Sequence, residues 1–208
     1  MTISLLEART LTSVSIVTPG DWHEFDLSPA TAHRSVIHAV RRACSVDPGL
    51  AGDAVRLIGL LDRLVQRAVS AGGFYLAALA LRDSVTGGLF AASVLMQLAP
   101  GHVSEPSASG PSSSEEMCAG LAAAISVDPD WVGANVDVVS LPAIGLSVRT
   151  QVVAGGVLVQ YLIPVSASSR QLIVTFSSPC TPSAGYSDAA LELFAAMAAS
   201  ITLVYANE

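Results

Sequence analysis

At 208 residues, 51% of them hydrophobic and only 13% charged, the chain is long enough to bury a core of its own and too apolar for bulk disorder. Its net charge of −7 disfavours generic nucleic-acid binding, which needs clustered cations to neutralise phosphates. Three widely spaced cysteines (Cys44, Cys118 and Cys180), with no Cys-x-x-Cys pair, form neither a disulfide framework nor a zinc signature.

The first ten residues, MTISLLEART, lack a basic stretch leading into an apolar one, so no signal peptide is expected. No apolar run reaches the roughly 18 residues of a membrane span, and a cytoplasmic chain is expected. Residues 10–17 have a short strand pattern. Pro19-Gly20 turns the chain into a second strand, Trp22 to Leu27, with Trp22, Phe25 and Leu27 expected inward and His23 and the acids on the solvent side. A metal nest of His23 with Asp21, Glu24 and Asp26 is the sharper alternative, but alternation splits those groups between two sides.

Ser28-Pro29 reads as cap and first residue of a helix over about 29–45, and a second helix follows over about 53–71, stopped by Gly72-Gly73. This two-helix segment, 29–72, is electrically unlike the rest. It holds six arginines against three aspartates, a local +3, while the remainder carries a local −10. Arg34, His38, Arg41 and Arg42 share one helix face, and Arg56, Arg63 and Arg67 share another. These seven are the candidate partner-binding residues, for an acidic protein or a second copy of the chain. The plainer reading is two ordinary solvated faces.

Residues 74–83 and 89–98 are nearly continuous apolar runs around a Thr-Gly-Gly turn, as in a hairpin covered on both faces. Residues 100–114 are Pro-, Ser- and Gly-rich, a flexible loop that could also take a regulatory phosphate. A third helix starts near Ser114, with Glu115 and Glu116 in its first turn. Four strands follow at 134–142, 145–154, 157–165 and 171–178. In the second of them Ser147, Arg149 and Gln151 form one wet side. Ser187 is expected to cap a last helix, about 188–205, that buries Ile201 and Tyr205.

The fold expected is therefore a single α+β domain over 1–208, a mainly antiparallel sheet of about six strands with helices on both faces. The phrases TPGDWHEFDL, VSLPAIGLSVR, VLVQYLIPV, LIVTFSSP and LFAAMAASITL resemble the Mog1/PsbP-like α/β/α sandwich. Together they resemble a group of actinobacterial proteins with a proline–tryptophan start. The absence of lysine and the abundance of alanine and valine fit such a GC-rich lineage. That resemblance implies a non-enzymatic binding or accessory protein.

No Gly-x-Ser-x-Gly, Gly-x-Gly-x-x-Gly, P-loop or His-Glu-x-x-His motif is present, so no catalytic, metal or cofactor residues are assigned. The function expected is non-catalytic protein interaction or assembly through the arginine-rich helical face or a sheet edge. The alternative is a small-molecule-binding protein or enzyme with a pocket between sheet and helices, using residues such as His23, Arg149, Tyr161 or Cys180.

Overall fold

The computed structural model describes residues 10–82, 89–100, 114–165, 170–179 and 184–206. Among them the order begins with β1 (Thr10–Ser15), the two-residue β2 (His23–Glu24) and α1 (Ala32–Val46). A 3-10 turn, Pro48–Asp53, leads into α2 (Ala54–Ser70). Next come β3 (Gly73–Arg82), β4 (Leu89–Pro100) and α3 (Ser114–Ser126), then β5 (Asn135–Leu141), β6 (Gly145–Val153), β7 (Val157–Pro164) and β8 (Arg170–Ser178). The chain closes with α4 (Ala184–Ala199) and β9 (Thr202–Ala206).

The fold is α+β. Seven strands form one sheet in the order β2-β3-β4-β8-β7-β6-β5, and every neighbouring pair is antiparallel. The β5–β8 meander joins the β3–β4 hairpin because β8 lies against β4. β1 and β9 pair with each other as a separate ribbon.

Helices cover both faces, as the two-sided apolar runs of β3, β4 and β7 require. On one face Ala77, Val94 and Phe176 pack with Phe194 and Ala198 of α4, and the ribbon adds Leu11 and Leu203 to the same cluster. Phe194 stacks on Phe176 at 5.2 Å, and Tyr161 meets Phe176 edge-on at 5.9 Å. Each such pair is worth about 0.5–1.5 kcal/mol beyond its burial. On the other face Leu76 and Ala78 receive Val36 and Ala39 of α1 and Val65 and Ala68 of α2. Further along that face, Val148 and Leu162 receive Cys118 and Ile125 of α3. Between the two helical covers the sheet turns polar. Ser93 and Ser177 share a hydrogen bond of 2.8 Å, and Gln160 Nε2 donates to Thr175 Oγ1 at 3.0 Å.

Two glycines fix the passage from α2 to β3. Gly72 sits at φ +70°, where a side chain is strained. At Gly73 an added Cβ would meet Leu95 Cδ1 at 2.7 Å and the Ala68 carbonyl oxygen at 2.8 Å. The chain can pass from the end of α2 straight into β3 only because no side chain stands between Ala68 and Leu95.

The structure departs from the sequence reading at several places, and first at the expected strand Trp22 to Leu27, which shortens to His23–Glu24. The expected last helix ends at Ala199, and residues 202–206 form β9 instead, pairing with β1 from Ala206↔Thr10 to Thr202↔Ser15. Ser187 therefore lies inside α4, buried, not at its cap. α1 begins at Ala32 rather than Pro29, because Asp26 organises the preceding turn: its Oδ1 accepts from Ser28 N at 2.8 Å and its Oδ2 from the Thr31 hydroxyl. The "wet" side of β6 is only partly wet, since Ser147 is fully buried. The 84–88 turn, nearly all of the 100–114 loop and Cys180 lie outside the described residues.

Candidate functional site

Both α1 and α2 are two-sided helices at the β2 end of the sheet. α1 buries Val36, Ala39 and Val40; α2 buries Leu57, Val65 and Ala68. The seven residues proposed for partner binding, Arg34, His38, Arg41, Arg42, Arg56, Arg63 and Arg67, are all exposed. None of the six arginines makes an ion pair with a described residue. The seam between the helices is closed by His33, whose Nδ1 lies 2.9 Å from both carboxylate oxygens of Asp62. Arg63 follows Asp62 by about 100° around α2 and so points away from that seam. His38 and Arg42 instead lie on the β2 side of α1, as their contacts with His23 show.

Beneath this helical layer is a pocket of about 360 Å³. Its walls are apolar: Val40 from α1, Leu50 from the 3-10 turn, Leu57 from α2 and Ala78 from β3. The polar groups on it, Asp21, His23, Arg42 and Asp47, come from one side, the loop before β2 and the end of α1. The pocket exists because Asp47 breaks the helix. Asp47 is extended at the end of α1, and its Oδ1 accepts from Gly49 N at 2.9 Å, which starts the 3-10 turn. That turn swings Leu50 inward, 1% exposed, as a lid over the gap between helices and sheet.

His23 does not face solvent. Its register partner on β3 is Ala78, which places it on the α1–α2 side of the sheet. Its ring is half-buried, 5.1 Å from Phe25 edge-on and 5.8 Å from the His38 ring. Burial lowers its pKa, helped by the positive fields of His38 and Arg42 and opposed by Glu24. Trp22 points to the other side, into the α4 cluster, where its indole Nε1 is buried without a partner. The acids nearby have structural work. Glu24 accepts from the Tyr75 hydroxyl at 2.9 Å, and burial above all lifts that phenol to about 12. Asp26 holds the turn before α1, and those hydrogen bonds keep its carboxyl below the usual range.

Of the other candidates, Arg149 and Tyr161 do not join His23. Arg149 grips Asp137 with two bonds, Nε to Oδ1 at 3.0 Å and Nη2 to Oδ2 at 2.6 Å. Tyr161 is its cross-strand neighbour, buried, with its pKa raised by desolvation. β3, β4 and β8 separate β2 from β7, about 19 Å at ordinary strand spacing, and Tyr161 lies on the α4 face. Among the described residues no group of three or more His, Cys, Asp or Glu side chains could hold a metal ion. No described helix is long and apolar enough to cross a membrane.

The sequence reading offered a pocket between sheet and helices with His23 among its residues, but missed its place under α1 and its lid, Leu50. The only signal was a leucine within a loop otherwise made of small and polar residues, SVDPGLAG. No protein-family model matches this chain, and no curated protein matches it either.

Proposed function

We propose that this protein acts by non-catalytic association, docking an acidic protein partner or a second copy of itself on the outer surface of α1 and α2. The observation that carries this reading is the set of six exposed arginines with no carboxylate partner among the described residues, on a chain of net charge −7. Arginine left unpaired on a surface is a ready donor for carboxylates, and complementary fields speed and orient docking. A sheet edge adds a second route. β2 is only two residues long, whereas β5 offers seven and exposes Val138. A cytoplasmic accessory protein of actinobacterial type, built as a Mog1/PsbP-like sandwich, fits the same picture.

The test is native mass spectrometry of the protein purified from its host at low salt, repeated with Arg34, Arg41, Arg63 and Arg67 changed to glutamate. A stoichiometric protein complex or homo-oligomer that the variant and 0.5 M salt both dissolve supports the reading. A complex indifferent to both charge reversal and salt removes the arginines from it. The pocket favours a second reading, a small-molecule carrier, because its apolar walls and one-sided polar mouth are the usual build of a ligand site.

A further inference from the structure

We propose that the pocket under α1 binds a small amphiphilic anion, a carboxylate with a short aliphatic body, its head at Arg42 and His23 and its tail against Leu50 and Leu57. This inference rests on the carrier reading and is independent of partner docking.

Size comes first. A space of about 360 Å³ corresponds to roughly a dozen waters of bulk volume. A saturated chain of about eight carbons fits such a space. The walls select an aliphatic body, since Val40, Leu50 and Leu57 present no hydrogen-bonding side-chain group.

Charge at the mouth comes second, and the acids there must be counted. Asp47 is engaged at the 3-10 turn through Gly49 N. Glu24 is turned to the opposite face and held by Tyr75. Asp21 is exposed to water. Against these stand Arg42, which no described carboxylate neutralises, and the facing rings of His23 and His38. A proton on His23 is repelled by Arg42 and by a protonated His38, and an anion placed beside them relieves that repulsion. A bound carboxylate thus gains a charge-assisted donor and makes it easier for His23 to take up a proton.

Octanoate is the probe, and 1-octanol is the neutral control of the same length. Isothermal titration with the full chain at pH 6.5 should give one saturable octanoate site with Kd on the order of 0.1 mM. Binding of 1-octanol should be several-fold weaker. Arg42→Gln should weaken octanoate about fivefold and leave 1-octanol unchanged. Ala43→Leu, which narrows the pocket, should weaken both ligands; Arg42→Gln on the surface keeps the test usable if Ala43→Leu does not fold. If both ligands bind equally and Arg42→Gln changes neither, the anion site is overturned while the carrier reading survives. If neither binds below about 1 mM, both are overturned. The docking proposal, tested separately by mass spectrometry, is unaffected in either case.

Discussion

The two helical covers on one face of the sheet solve the same problem differently. α3 lies over the β5–β6–β7 end as an alanine-rich helix and closes on it: Cys118 and Val148 are wholly buried, and Ile125 and Leu162 nearly so. Its charged residues are Glu115 and Glu116 in the first turn, and on the sheet's opposite face the arginine of this end, Arg149, is matched to Asp137. α1 and α2 cover the β2–β3–β4 end with larger side chains and a helix break between them. They leave a pocket beneath and unpaired arginines above. A sequence under selection only for stability has no use for either feature. Both proposals, partner docking and ligand binding, rest on this contrast.

The sharpest way to break that contrast is to delete equal side chains at both ends. Leu162→Ala removes a side chain from the closed α3 cluster, and a loss of about 3–4 kcal/mol is expected in urea unfolding, because a sealed void is left behind. Leu57→Ala removes the same group beside a pocket that already exists, and a loss of about 2 kcal/mol, nearer the bare transfer value, is expected. Equal losses would mean that the pocket end is packed as tightly as the other.

A smaller effect separates the two kinds of arginine. Asp137→Ala strands the Arg149 guanidinium. With the pair's side chains 28% and 36% exposed, water screens much of that cost, and about 1 kcal/mol is expected. Arg63→Ala, with no ion pair to break, should shift stability by less than about 0.5 kcal/mol. If Arg63→Ala is the more damaging change, its side chain serves the fold and the docking proposal loses its basis.

What could be read from the sequence follows the same division. β5, β6, β7 and β8 fall within one residue of expectation, because continuous apolar runs between glycine and proline turns admit one solution. α2 and the start of α3 were equally legible from periodicity and caps. β9 was not, since Ile201 and Tyr205 continue the helical stripe of Phe194 and Ala198, and only pairing with β1 makes 202–206 extended. The orientation of β2 was misread for a physical reason. Trp22 and Phe25 are three apart and cannot share a face of a strand. Because both faces are covered, Trp22 enters one core and Phe25, with His23, enters the other. The pocket itself depends on where Leu50 lands after a broken helix, which no local pattern encodes.

The smallest effect tests whether His23 feels His38 and Arg42. Its pKa is lowered in the fold by burial and by His38 and Arg42, while in the unfolded chain it returns to about 6.5. Between those values the unfolded chain binds more protons, so stability rises with pH across that window. The native state is therefore favoured above pH 6.5 and loses that advantage as pH falls through 6.5 toward the lowered folded value. His23 is only half-buried, which limits the change to less than about 1 kcal/mol. The readout is the difference between wild type and His23→Gln in urea midpoints from pH 7.5 to 5.0, in which contributions common to both proteins cancel. The difference should grow on acidification, with the variant falling less. Added octanoate should shrink it, because an anion beside His23 raises the folded pKa back toward the unfolded one. A difference that is flat with pH would mean that His23 is solvated, and the mouth of the pocket would then be no more charged than the closed end of the sheet.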